Sequence, residues 1–285
     1  MSVVRNRGTA ALALVLLLSA GCGSKSKVNG TLGAIQLISN AAKTTTSART
    51  SRVSMDAQIE SGDGAQTTSV HLVGTGGVDF QAHQGSMDMT LSKGAEQLAI
   101  QMVFDGTVVY EKLPPQSSGL PAGKPWIKLD LEALSKQSGV DVAQLEQSTP
   151  TDPSQSLQYL LGVSKDVHVV GQDSVRGTST THYRVSIDLN ALADKGSVSK
   201  DAIRRLSQLQ GGAQIPADVW IDAQGRVRRM RLSLNLPGSA SSTVAGGTMT
   251  ETIEYYDFGA PVNVTLPPAS EVTDLSDLIK ASPSP

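Results

Sequence analysis

The chain is poor in cysteine, histidine and aromatic residues, and each shortage excludes a class of protein. Its single cysteine, Cys22, cannot form a disulfide within one chain. The histidines, His71, His83, His168 and His182, do not have the sequence spacing of a metal-binding motif. Aromatic residues make up 4% of the chain and its net charge is −2, unlike the basic, aromatic-bearing surfaces that bind nucleic acids. We therefore expect no metal, no cofactor and no nucleic-acid partner.

Motifs of catalysis are also lacking. The sequence has no Gly-x-Ser-x-Gly nucleophile turn, no His-Glu-x-x-His pair and no phosphate-binding loop. The glycine-rich segment from Gly74 to Gly77 lies inside a strand pattern, which predicts a bend or a β-bulge. The segment from Asp222 to Gly225 lacks further oxygen ligands at alternating positions, so it predicts a hairpin turn and no calcium loop. We expect that the protein is not an enzyme.

No apolar run is long enough to span a membrane, but a short one lies at the N-terminus. Arg5 and Arg7 precede a run from Ala10 to Leu18, which is roughly half of the ~20 residues that a spanning helix needs. Small residues at positions 19–21 then lead directly into Cys22. This order is typical of a secretory signal peptide, and the cysteine at its end is typical of a lipoprotein.

Cys22 is therefore the predicted attachment site of a diacylglyceryl group. The predicted organisation is a signal peptide over residues 1–21, a lipidated tether over 22–30, one folded domain over 31–280 and a loose tail over 281–285. Since two acyl chains anchor a protein stably, we expect a lipid-anchored monomer on the extracytoplasmic face of the cell membrane.

Most of the domain alternates apolar and polar residues with a period of two, which predicts strands with one buried face. The pattern begins at Val53, Met55, Ala57 and Ile59 and recurs in roughly ten segments up to about residue 258. The last apolar stretch starts at Val272.

Helix-like spacing interrupts the strands in a few places. Apolar residues recur at three- and four-residue spacing over residues 31–43 and 199–210. Asp152 followed by Pro153 and Gln155 predicts the start of a further helix, with Asp152 as its N-cap. We predict an α+β fold in which one curved antiparallel β-sheet, a half-barrel of about ten strands, carries helices packed across its concave face.

The apolar faces of the strands are unusually rich in methionine. Six of the seven methionines alternate with polar residues on strands, and methionine adapts to irregular apolar shapes. A methionine- and leucine-lined surface with few rings suits flexible acyl chains, although the same residues would equally fill an ordinary core beneath the helices. The candidate ligand-binding residues are Met55, Leu72, Met89, Ile100, Met102, Val185, Ile187, Met230, Leu232 and Leu234.

The order of several short motifs resembles the LppX/LprG family of actinobacterial cell-envelope lipoproteins. These motifs are Ser51-Arg52-Val53-Ser54, Pro-Trp-Ile-Lys-Leu-Asp at 125–130, Val175-Arg176-Gly177-Thr178, His182-Tyr183-Arg184-Val185, and the hairpin from Pro216-Ala217-Asp218 to Gly225-Arg226-Val227. The resemblance implies a half-barrel similar in shape to LolA and LolB, with space for acyl chains between sheet and helices. It implies no catalytic residues.

Two functions remain open at this stage. The first is binding or transfer of lipid or lipoglycan acyl chains in an apolar cavity between sheet and helices. The alternative is a surface sensor or regulatory module with a filled core that binds another envelope protein.

Overall fold

The computed structural model describes residues 27–62, 67–114, 120–138, 152–194, 200–236 and 246–275. The predicted signal peptide, Cys22 and the predicted tail at 281–285 lie outside the described residues. Among the described helices, none combines the length and the apolar character that crossing a membrane requires.

The described residues form twelve strands and six helices. The strands are β1 (Thr50–Gly62), β2 (Thr67–Asp79), β3 (Gln84–Lys93), β4 (Glu96–Asp105), β5 (Val108–Lys112), β6 (Trp126–Asp130), β7 (Val163–Val175), β8 (Thr178–Asp188), β9 (Gln214–Asp222), β10 (Val227–Leu236), β11 (Gly247–Tyr256) and β12 (Val272–Asp274). The α-helices are α1 (Lys27–Thr46), α2 (Leu131–Ser138), α3 (Leu189–Asp194) and α4 (Lys200–Gln210), and the 3-10 helices are η1 (Pro153–Gly162) and η2 (Ala269–Glu271).

All twelve strands belong to one sheet, in the order β12-β6-β5-β4-β3-β2-β1-β11-β10-β9-β8-β7. Every neighbouring pair is antiparallel except β12 and β6, which are parallel. The predicted fold class is confirmed: one curved, mostly antiparallel sheet with few helices, with twelve strands instead of about ten.

The register divides the sheet into two faces. We call inner the face that carries Val53, Met55, Met230, Ile253 and Tyr255, which are adjacent across β10, β11 and β1. All six strand methionines lie on this face, as the alternation predicted.

The helices cover the inner face at one side of the sheet. Helix α1 packs against β7 and β10, η1 packs against α1 and β8, and α4 packs against β9 and β10. Thr45, at the buried end of α1, accepts a hydrogen bond from the backbone N–H of Val227 at 2.9 Å and donates one to the carbonyl of Ala41. Helix α2 packs at the other side, against β6.

Two local predictions need correction. Helix α1 begins at Lys27, so residues 27–30 are helical and not part of the tether. The prediction started at the first apolar residue, whereas the first turn of a helix does not need a buried side chain. Residues 153–162 form a 3-10 helix, although Asp152 does cap it by accepting a hydrogen bond from the N–H of Ser154 at 2.7 Å. The apolar stretch from Val272 adds a strand.

The predicted bulge in β2 is wrong. Strand β2 pairs with β1 without a register shift along its whole length. The glycines serve close packing instead: a Cβ on Gly74 would lie 2.7 Å from Cγ of Met89, and one on Gly76 would lie 2.0 Å from the carbonyl oxygen of Ser86. Such distances are far below van der Waals contact, so only glycine lets Met87 and Met89 lie across β2.

The segment after β11 crosses the outer face. The N–H of Gly259 donates to the carbonyl of Thr50 at 2.9 Å, and the hydroxyl of Thr50 donates to the carbonyl of Ala260. Further along, Val262 packs over Gly77 of β2. The chain then joins the far edge of the sheet as β12.

Candidate functional site

The ten predicted ligand-binding residues all lie on the inner face, but in two different surroundings. Val185, Ile187, Met230 and Leu232 have 0–3% of their surface exposed and belong to the core beneath the helices. The remaining six are half-buried: Met55, Leu72, Met89, Ile100, Met102 and Leu234. In the structure, therefore, a ligand could reach only the second group without displacing packed side chains.

We call the inner face of β7–β10 the covered half and the inner face of β1–β4 the open half. The covered half is filled by Ile38 of α1 and by Leu157 and Leu160 of η1, all of which are almost fully buried. At one end of the open half, Val78 and Phe104 are also buried.

The other end of the open half, together with the start of β11, forms a continuous apolar surface, which we call the open patch. The sequence reasoning named four of its members, Met55, Leu72, Met89 and Ile100, and the register adds five more half-buried residues beside them. The additional members are Ile59, Val70, Leu91, Leu98 and Met249. The same period-two alternation could have identified them. Val70, Leu91 and Leu98 each lie two residues from a predicted member of the patch, Met249 pairs with the predicted Leu234, and Ile59 pairs with Val70 and Met249.

Two half-buried acidic residues of the described strands lie on the inner face, where the sequence predicted only apolar ones. Glu251 of β11 is opposite Ala57 of β1 and Leu232 of β10, and Glu111 of β5 is opposite Met102 of β4. Burial raises the pKa of both carboxyl groups above the ordinary value of 4.5. The signal for Glu251 was present in the sequence, since it lies two residues from both Met249 and Ile253.

Two tyrosines lie in the same region. Burial, with the negative charge of Glu251 adding to it, raises the pKa of Tyr159 on η1. Burial also raises the pKa of Tyr255, whose hydroxyl is within 2.7 Å of the carbonyl of Pro153 and 3.0 Å of the hydroxyl of Ser156. Tyr255 thus ties η1 to β11.

The structure contains a cavity of about 520 Å³ between α3 and α4, lined by residues that include Ile203 and Ser207. A smaller cleft of about 260 Å³ lies on the outer face, between Asp56, Arg231 and Thr250. Neither of these two cavities is lined by any of the ten predicted residues.

The outer face behind the covered half is polar and paired. Trp220 stacks on His182 with ring centroids 4.1 Å apart and donates a hydrogen bond to Asp173 at 2.8 Å. Nearby, the buried carboxylate of Asp222 accepts hydrogen bonds from Nε of Arg226 and Arg228 at 3.1 and 2.7 Å. Burial alone would raise the pKa of Asp222, but these hydrogen bonds and positive charges outweigh it and hold the pKa below 3.8.

We searched the histidines and carboxylates of the described residues for the arrangement that a metal ion needs. Within it, no group of three or more His, Cys, Asp or Glu side chains is arranged to hold a metal ion. The histidines with described partners each contact a carboxylate on the outer face or at an edge: His71 contacts Asp56, and His182 contacts Asp218.

Comparison with known proteins assigns the chain to a family. The family model described as LppX_LprAFG lipoprotein matches residues 121–264. The chain belongs to this family. The resemblance indicated by the motifs is therefore confirmed.

Individual relatives are distant. The chain is 27% identical over 204 residues to an uncharacterized 31.2 kDa protein of Streptomyces griseus, a match that covers 69% of this chain and 63% of that protein. A second relative, from Streptomyces coelicolor and named as a candidate lipoprotein, is 27% identical over 179 residues, which are 61% of this chain and 51% of that protein. The chain thus spans less than two thirds of the length of either relative.

The fold is also similar to those of two lipoproteins of known structure. The crystal structure of lipoprotein LppX from Mycobacterium tuberculosis has 19% identity and a TM-score of 0.43, with 83% of this chain and 99% of that one covered. The crystal structure of LprF from Mycobacterium bovis has 14% identity and a TM-score of 0.42, with 83% of this chain and 97% of that one covered.

Proposed function

We propose that this lipoprotein is anchored by a diacylglyceryl group on Cys22 to the extracytoplasmic face of the cell membrane, and that its open patch binds the acyl chains of a lipid or lipoglycan. The proposal extends to transfer of the bound lipid within the envelope and assigns no catalytic role. The observation that carries it is the open patch itself, a continuous half-buried apolar surface on the inner face beside a filled core.

The chemistry of the open patch suits acyl chains. It combines methionine, leucine, isoleucine and valine, and it carries no aromatic ring. Methionine side chains adapt to flexible ligands, and a continuous exposed apolar patch on a soluble domain marks a binding surface.

The dimensions of the open patch also suit acyl chains. The patch extends across the five adjacent strands β11, β1, β2, β3 and β4. Neighbouring strands are about 4.8 Å apart, so the patch is roughly 19 Å wide across the strands. One leaflet of a bilayer is about 15 Å thick in its hydrocarbon part. An extended acyl chain can therefore lie across these strands.

The test compares the wild-type chain with Cys22→Ser by intact-mass spectrometry and by mass spectrometry of organic extracts. We expect the wild-type protein to carry a covalent diacylglyceryl group that Cys22→Ser lacks. We expect both proteins to release non-covalent lipid on extraction, because Cys22 lies outside the domain. An unmodified Cys22 would contradict the anchor, and extracts without lipid would contradict the binding.

A matched pair of variants locates the lipid. Leu72 and Val73 are consecutive residues of β2, but Leu72 lies in the open patch and Val73 lies on the outer face with 36% exposure. Leu72→Asp should abolish lipid recovery, because a carboxylate on the apolar face must be desolvated when the acyl chain binds. Val73→Asp should leave lipid recovery unchanged. Equal recovery from both variants would contradict the assignment of the patch.

A further inference from the structure

Strand β2 has a depression in its inner face, because two successive inward positions are glycines. Along the strand, the inward residues Leu72 and Val78 lie on either side of Gly74 and Gly76. Neither glycine has a side chain to cover the backbone, so the surface of the sheet is lower there than beside them. We call this depression the glycine hollow. It adjoins the open patch, of which Leu72 is a member.

Two methionines of β3 fill the glycine hollow. Met89 is paired with Gly74, and Met87 is paired with Gly76. A Cβ atom on Gly74 would lie 2.7 Å from Cγ of Met89 and 3.3 Å from Cε of Met87. A Cβ atom on Gly76 would lie 2.8 Å from Cγ of Met87. Both methionine side chains therefore bend over β2 and take the volume that larger residues of β2 would occupy.

The two methionines differ in how completely they are enclosed. Met87 is 2% exposed, whereas Met89 is half-buried and belongs to the open patch. A methionine side chain has three rotatable bonds and adapts to its surroundings. The exposed side of Met89 faces the open patch, so this side chain can adopt another rotamer there and leave the hollow. Met87 would remain as the wall of the hollow.

The shape of the glycine hollow restricts the ligand that can replace Met89. Its present occupant is an unbranched chain of two methylene groups, a sulfur and a methyl group. Along β2, this chain is confined by Leu72 on one side and by Met87 on the other. A segment of a linear acyl chain has a similar cross-section and the same apolar character. A methyl branch or a ring needs additional space, and forcing extra atoms into packed surroundings is unfavourable.

We propose that Met89 moves out of the glycine hollow when a lipid binds, and that a linear segment of the acyl chain takes its place against Gly74. The inference rests on the proposed acyl-chain binding and adds the class of chain, since the hollow favours unbranched chains over methyl-branched ones. Gly74 then sets the depth to which the acyl chain can pack onto the sheet.

The experiment compares palmitic acid with phytanic acid, which has the same main-chain length but carries methyl branches. Each acid displaces a fluorescent fatty acid from the full chain with Cys22→Ser. We expect palmitic acid to bind about fourfold more tightly or better, the factor for one further methylene group removed from water. Without the hollow, phytanic acid would be the tighter ligand, because its branches add apolar surface.

Two substitutions should change the affinity for palmitic acid in opposite directions. Gly74→Ala fills the hollow and should weaken binding of palmitic acid about fourfold, with a smaller effect on phytanic acid. Met89→Ala empties the hollow and should strengthen binding of palmitic acid, because no side chain has to be displaced. Val73→Ala, at the adjacent residue on the outer face of β2, is the matched control and should bind both acids like the parent protein.

Thermal melts verify that each variant is folded, and Met89→Ala decides alone if Gly74→Ala does not fold. Tighter binding of phytanic acid by the parent protein would overturn the role of the hollow while leaving acyl-chain binding intact. Unchanged affinity for palmitic acid in folded Gly74→Ala, or weaker affinity in Met89→Ala, would do the same. Failure of both acids to displace the fluorescent fatty acid would overturn the proposed function as well.

Discussion

The covered half and the open half of this sheet are built from the same kind of strand, yet they differ in what lies over them. Ile187 of β8 and Ile100 of β4 both face inward from the interior of a strand, but Ile187 is fully buried while Ile100 is half-buried. The difference arises from the helices, since α1, η1 and α4 pack on β7–β10. Burial here is decided by where distant helices pack and not by the alternation within the strand.

The largest difference between the covered half and the open half is expected when an isoleucine side chain is truncated in each of them. Ile187→Ala should lower the free energy of unfolding by about 2–5 kcal/mol, because it removes buried atoms and leaves a cavity in the filled core. Ile100→Ala should cost about 1 kcal/mol or less, because much of its side chain already faces open space. Urea unfolding followed by circular dichroism measures both. Similar losses for the two variants would mean that the open half is packed like the covered half.

A second test concerns the outer face behind each half. Asp222 is buried behind the covered half. Asp222→Ala should lower the free energy of unfolding by about 2–4 kcal/mol, because Arg226 and Arg228 lose their partner. Asp56 is exposed behind the open half and is paired with His71. Asp56→Ala should change the free energy of unfolding by less than about 0.5 kcal/mol.

The effect of Asp222 should also depend on pH in a defined direction. The folded state holds the pKa of Asp222 below 3.8, so its contribution is present above the unfolded pKa and is lost as the pH falls through the folded pKa. The gap between wild-type and Asp222→Ala unfolding energies should therefore narrow as the pH is lowered below about 4. A gap that widened in acid would contradict the ion-pair assignment.

The third test adds volume instead of removing it. Met230→Trp should destabilise the protein by about 1–3 kcal/mol, because the covered half has no room for the larger ring. Met102→Trp, in the open half, should cost clearly less and should reduce lipid recovery. Thermal melts and lipid extraction measure the two effects. Strong destabilisation by Met102→Trp with no lipid to lose would favour the filled-core alternative, a module that binds another envelope protein.

The period-two pattern was sufficient to predict the sheet and its inner face, and the order of the short motifs was sufficient to predict the family. It placed all ten candidate residues on the inner face, because alternation fixes the side to which a side chain points. It could not separate Leu232, which is buried under the helices, from Leu72, which is not. That distinction depends on helices that contact the strands from far away in sequence.

The sequence reasoning also missed features that depend on pairing between strands. The glycines of β2 predict a bend or a bulge as long as the neighbouring strand is unknown, whereas the pairing with β3 shows that they make room for Met87 and Met89. Glu251 was overlooked because a single carboxylate in an apolar pattern is inconspicuous until the register places it opposite Ala57 and Leu232. The roles of Gly74 and Glu251 therefore become apparent only when the adjacent strand is known.

The central pairing of β1 with β11 has a consequence for how the molecule is made. Ser51 and Tyr256 are hydrogen-bonded across this pair although they are 205 residues apart. The other antiparallel neighbours follow one another along the chain, and the longest connection among them is the one from Asp188 at the end of β8 to Gln214 at the start of β9. Local hairpins form before contacts of such long range, because closing a long loop carries a larger entropy cost. We therefore expect β1–β5 to assemble first as a separate meander, which becomes continuous with β7–β10 only when β11 pairs with β1.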